Sequence, residues 1–163
     1  MSDMIGDESE GAETMRIFMD CLRLVERLHR RLLDVIRNSL EEAGRGEINA
    51  VQALLLYNIG DNEITAGELR SRGYYLGSNV SYNLKKMVDM GYVSHQKAEH
   101  DKRSVRISLT EKGSAVSKIV DKLYKAQLEE ILEDEVFNRD ELRGMRRHLR
   151  NLERFWADQL RFV

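Results

Sequence analysis

From Thr14 to about Ala43 the apolar residues Met15, Phe18, Met19, Leu22, Val25, Leu28, Leu32, Ile36 and Leu40 recur at steps of three and four, the period of a helix. The chain contains no proline, so no residue locks φ or removes an interior N–H donor along the way. At 1.5 Å per residue the segment makes a helix about 45 Å long. A chain of 163 residues builds one ordinary domain, and a domain of that size does not cover such a stripe alone. The first expectation is therefore a helical protein whose long elements need a second surface, most simply a second copy of the chain.

What surrounds that helix narrows the class. Hydrophobic residues are 42% and charged residues 33% of the chain, normal for a globular protein, and no uncharged apolar run approaches the length of a membrane span. The first thirteen residues carry Asp3, Asp7, Glu8, Glu10 and Glu13 with no basic residue. That is not the basic start of a secretory signal, and it contains too little apolar surface to offset ordering. A disordered acidic tail over 1–13, no membrane association and a cytoplasmic location are expected. One cysteine, Cys21, permits neither an internal disulfide nor a multi-cysteine zinc module, and folding without metal or cofactor is expected.

Further along, Gly44 and Gly46 end the first helix. Asn49 with Gln52 has the spacing of a capping box opening a second helix through Ile59, with Gly60 closing it. Thr65 with Glu68 repeats the box and starts a short third helix that stops near Gly73, and a fourth runs from Gly77 or Ser78 to Met90. The period then changes. Val105, Ile107 and Leu109 alternate with Arg106 and Ser108, the repeat of a half-buried strand, with Tyr92 to Ala98 as its partner and a polar tip from Glu99 to Ser104. Thr110 caps a fifth helix to about Glu133. Asn138 and Glu141 box a last helix whose Leu142, Met145, Leu149, Leu152 and Trp156 form a seam for packing along another helix. The predicted class is mostly α with a small β-hairpin: an N-terminal dimerisation helix over 14–45, a winged helix-turn-helix lobe over 46–111, and C-terminal dimerisation helices over 112–163.

Two short helices joined by a turn and followed by a basic hairpin form a helix-turn-helix with a wing. On the fourth helix Val80, Leu84, Met87 and Val88 share an apolar face, leaving Ser78, Asn79, Ser81, Tyr82, Lys85 and Lys86 on the other. Short polar side chains at a helix N-terminus suit base edges and phosphate oxygens, and the lysines supply phosphate charge. The net charge of −2 hides a strong asymmetry: the window from Arg70 to Arg106 carries +5 and the rest of the chain −7. Such a basic window is the electrostatic footprint of a nucleic-acid reader, and double-stranded DNA is the expected partner.

Three stretches also carry a family likeness: Ser78-Asn79-Val80-Ser81 running through Leu84-Lys85-Lys86-Met87-Val88 into Gly91-Tyr92-Val93; Asp101-Lys102-Arg103; and Leu109-Thr110-Glu111-Lys112-Gly113. With the helix order they make the sequence resemble the MarR family of winged-helix transcriptional regulators. The resemblance implies a homodimer built from the first and last helices, a recognition helix in the major groove, and a wing arginine in the minor groove. It makes Arg103 that arginine, with Lys102 beside it and Asp101 holding its guanidinium. It also implies a repressor of pseudo-palindromic operators that answers to a small-molecule effector. Tyr82 differs from the arginine or polar residue of many members, and Gly73-Tyr74-Tyr75 makes an aromatic approach to the recognition helix.

Other readings of single residues are weaker. Cys21 is expected to be a small buried hydrophobe rather than an oxidant sensor. His95, Glu99 and His100 do not have zinc-helix spacing and read as wing residues. Met15, Met19, Met87, Met90 and Met145 read as core filler before they read as pocket lining. No Gly-rich phosphate loop, nucleophile elbow or metal-ligand helix is present, so an enzyme is not expected. A winged-helix module that binds protein instead of DNA is the alternative.

Overall fold

A helix without a single exposed residue lies at the core of the first of two compact units. The computed structural model describes residues 3–61, 64–65, 68–69, 77–97 and 105–160, with backbone alone at 3–9, 77–81, 96–97 and 105. Its elements are α1 (Asp3–Glu42), α2 (Ala50–Ile59), β1 (Ile64–Thr65), α3 (Gly77–Asp89), β2 (Val93–Lys97), β3 (Val105–Leu109), α4 (Glu111–Glu133) and α5 (Arg139–Leu160). In α2, Ala53, Leu54, Leu55, Leu56 and Ile59 are all buried, as expected of a helix surrounded by others. Burial of each leucine or isoleucine contributes about 1.5–3 kcal/mol. α1, α3 and β3 all pack on α2.

Local chemistry sets the ends of these helices. Asn49 opens α2 with a reciprocal box: its Oδ1 accepts from the Gln52 amide at 2.9 Å, and the Gln52 side chain accepts from the Asn49 amide at 3.1 Å. Gln52 is therefore a buried polar residue with a partner. Thr65 and Glu68 form the second box, and Asn138 and Glu141 the third. α1 and α3 close on the same motif. Gly44 and Gly91 have φ of +67° and +76°; the following amides, of Arg45 and Tyr92, donate back to Leu40 and Met87, while Gly44 and Gly91 donate to Glu41 and Val88. This is the paired bonding of a Schellman ending, in which glycine adopts a left-handed backbone without a Cβ penalty.

The structure alters two expectations. The acidic segment read as disordered is helical from Asp3 onward. Extending a formed helix costs far less than nucleating one, and carboxylates near its N-terminus oppose the positive end of the helix dipole. The hairpin is also part of a three-stranded antiparallel sheet of order β1-β3-β2. Ile64 pairs with Ile107, which pairs on its other side with His95. Ile64, Val93 and Ile107 are buried while Arg106 is exposed; the alternation read in β3 holds at that pair, whereas Ser108 and Leu109 are both half-buried.

The chain divides into two compact units, Met1–Asp121 and Lys122–Val163. In the first, α1 buries Ile36 and Leu40 but leaves Met15, Ile17, Phe18, Met19, Leu24, Val25 and Leu28 exposed. Cys21 is exposed as well, so the buried role expected for it is not found. In the second unit α5 buries no residue, and Met145, Leu149, Phe155 and Trp156 stand in solvent. No helix among the described residues is long and apolar enough to cross a membrane.

Candidate nucleic-acid interface

α3 is held to the lobe by one face and displays the other. Met87 is fully buried, Leu84 and Val88 are half-buried, and the helix packs on α2 and β2. On the opposite side Lys85 and Lys86 are exposed, and the Tyr82 side chain is 69% exposed. The sequence thus placed these three correctly on the outward face. Ser78 and Asn79 belong to the first turn of α3, whose N–H groups lack helical acceptors and attract anions, and Ser81 begins the second turn. Asp101, Lys102 and Arg103 fall in 98–104, outside the described residues, between strands whose last described pair is Lys97 and Val105. His95 is exposed on β2. Among the described residues no group of His, Cys, Asp and Glu side chains is arranged to hold a metal ion.

The residue that carries most of this arrangement was not singled out by sequence reasoning. Tyr92 is fully buried and follows α3 directly. Its hydroxyl donates to Glu47 Oε1 at 2.6 Å, across forty-five positions of chain. The Lys112 ammonium lies 4.1 Å from the ring centroid, at the distance of a cation–π contact, and donates to the Met90 carbonyl at 3.2 Å. The Tyr92 carbonyl accepts from the Thr110 amide at 3.1 Å. Burial first, and the Glu47 carboxylate second, push the phenol up to about 12. Conversely, the hydrogen bond from Tyr92 holds the Glu47 carboxyl below its ordinary range.

The same spot explains the Leu-Thr-x-x-Gly stretch. Thr110 Oγ1 donates to the Gly91 carbonyl at 2.7 Å and accepts from the Gly113 amide at 3.2 Å, so one hydroxyl closes α3 and opens α4. Gly113 is buried against the Tyr92 backbone, where a Cβ would overlap the Tyr92 carbonyl oxygen and lie 3.3 Å from Leu109 Cδ2.

Comparison with known proteins matches this architecture. Residues 48–113 match the family model described as a winged helix DNA-binding domain. The exopolysaccharide II synthesis transcriptional activator ExpG of Rhizobium meliloti (strain 1021) is 39% identical over 107 residues, covering 66% of this chain and 55% of that protein. This chain thus matches little more than half the length of that relative. The crystal structure of a MarR transcriptional regulator from Methanosarcina mazei Go1 is 25% identical, covers 89% of this chain and 99% of its own, and superposes with a TM-score of 0.63. The fold is that of the MarR-type winged-helix regulators. A further MarR-like neighbour, Streptococcus pneumoniae FabT solved in complex with DNA, shares the fold at 20% identity and a TM-score of 0.70, covering 86% of this chain and 98% of its own. ExpG and the Methanosarcina mazei protein are both named as regulators of transcription.

Proposed function

We propose that this chain is a regulator of transcription that binds duplex DNA sequence-specifically, as a homodimer on a pseudo-palindromic operator. The observation that carries the reading is α3: a helix anchored through Met87 that presents Tyr82, Lys85 and Lys86 to solvent from within a winged-helix lobe. Lys85 and Lys86 contact phosphates; Ser78, Asn79, Ser81 and Tyr82 face base edges in the major groove; Lys102 and Arg103 extend the contact to the minor groove, with Asp101 positioning the arginine. Support for DNA as the partner comes from FabT, whose structure was solved with DNA. A regulator acting on chromosomal DNA would work in the cytoplasm.

The dimer is supported by the unpaired apolar residues of α1 and, separately, of α5, where Leu142, Met145 and Leu149 line an open groove of about 520 Å³. Exposed apolar surface on this scale marks an interaction site. A small-molecule effector that changes the separation of the two lobes would alter affinity for the operator. Where the operator overlaps a promoter the dimer represses. A second reading, activation from an upstream site, is favoured by ExpG, which is named an activator.

Selection of bound duplexes from a random pool, followed by sedimentation of the free protein, tests the proposal. The expected results are a two-fold symmetric site with half-sites about 10 bp apart and a mass twice the 19.0 kDa of the chain. Failure to enrich any sequence, or a folded monomer at micromolar concentration, refutes it.

A further inference from the structure

The winged-helix lobe has two covalent exits toward the long helices, and both end on Tyr92. At the first exit, Glu47 in the α1–α2 connection accepts the phenol proton at 2.6 Å and has Arg45 Nη1 3.8 Å away. At the second, Thr110, Lys112 and Gly113 of the α4 N-terminus grip the Tyr92 carbonyl, ring and backbone. Between them Tyr92 is joined covalently to the Schellman ending of α3 and to the first residue of β2. One fully buried side chain thus ties both exits to the helix proposed to read DNA and to the strand that leads into the wing.

We infer that Glu47, Tyr92 and Lys112 form a clasp that fixes the direction in which α1 and α4 leave the reading lobe, and so sets the spacing between the two lobes of the dimer. The inference rests on the dimeric DNA-binding reading. A phenol–carboxylate bond and an ammonium over a ring are directional contacts, whereas the apolar packing of α1 on α2 through Ile36 and Leu40 is not. Breaking the clasp leaves the lobe folded and lets it swivel. Tyr92, Glu47 and Lys112 are positioning residues: none of them reaches DNA in this scheme.

A spacing series separates positioning from mere stability. Each base pair added between half-sites rotates one against the other by about 35°, so a rigid dimer discriminates among spacings and a loosened one does not. Binding of the full chain is measured on operators with one base pair removed, none changed, and one added, for wild type, Tyr92→Phe, Glu47→Ala, the double variant and Lys112→Met. Ile59→Val, a core substitution away from the clasp, reports loss of stability alone. The expected result is that the clasp variants gain about tenfold in relative affinity for the off-spacing operators, that the double variant gains no more than either single one, and that Ile59→Val keeps the wild-type ratio. Clasp variants with the ratio of Ile59→Val overturn the clasp and leave the DNA-binding reading intact. A wild-type protein that binds all three spacings equally overturns both.

Discussion

Replacing Gly113 by alanine puts a methyl group where the Tyr92 carbonyl oxygen already lies, with the Tyr92 carbonyl carbon at 3.1 Å and Leu109 Cδ2 at 3.3 Å. Leu109 can yield by rotation, but the Tyr92 atoms are backbone held by the Thr110 amide, so α4 must lift away from the start of β2. Overpacking costs about 1–3 kcal/mol, and an obstacle made of backbone puts this case at the upper end. Lifting α4 also strains the Thr110 hydroxyl bridge between the Gly113 amide and the Gly91 carbonyl, worth about 1 kcal/mol as a lost cap. The sum, about 3–4 kcal/mol, lowers the melting temperature by roughly 6–16 °C for a chain of this size. Gly11→Ala is the control: it lies in α1 with nothing within 4 Å, and alanine there improves helix propensity by up to about 1 kcal/mol. Thermal unfolding by circular dichroism at fixed chain concentration gives both numbers. Gly113→Ala as stable as the wild type would refute the close approach and the explanation of the Leu-Thr-x-x-Gly stretch.

In alkaline titration of tyrosine absorbance, one of the six tyrosines should ionise near 12 and disappear in Tyr92→Phe. Because the folded value lies above the unfolded one near 10, its contribution to stability is complete below pH 10 and lost as pH rises toward 12. Glu47 runs the other way, stabilising above its unfolded pKa and ceasing to do so as pH falls through the lowered folded value; an acid limb unchanged in Glu47→Gln would contradict this. Glu135 ends α4 with φ of +54° while Val136 donates to the Ile131 carbonyl at 3.0 Å, so Glu135→Gly should raise stability by about 1 kcal/mol in chemical denaturation. Leu149→Asp introduces a charge into the apolar groove of α5 and should turn a dimer into monomers by sedimentation. An unchanged mass would remove α5 from the interface.

Most of the architecture was readable because its signals are local. The three capping boxes each involve residues three apart, and the period change at the hairpin spans fewer than twenty residues. The outward positions of Tyr82, Lys85 and Lys86 follow from helical geometry and the apolar spacing of Leu84, Met87 and Val88. β1 was not readable, because two residues carry no period and Ile64 acquires its role only through pairing with Ile107. Glu47 and Tyr92 stand forty-five positions apart, and neither an isolated glutamate nor a tyrosine following a glycine announces a partner. The Leu-Thr-x-x-Gly stretch was recognised only as a likeness; its physical reason needed the Tyr92 backbone beside Gly113. The helical start at Asp3 was missed because composition reports what a segment can bury, not what helix it continues.

The central claim is that the outward face of α3 reads duplex DNA, and a salt series on two DNAs tests it most directly. Dissociation constants are measured for wild type and for the Lys85→Ala, Lys86→Ala double variant on a selected operator and on a scrambled duplex. The account requires the wild type to prefer the operator by about 10³-fold or more. It also requires the double variant to weaken on both DNAs with its salt slope reduced by about 2, one for each phosphate that a lysine no longer neutralises. Equal wild-type affinity for the two duplexes, or an unchanged slope in the double variant, would contradict it.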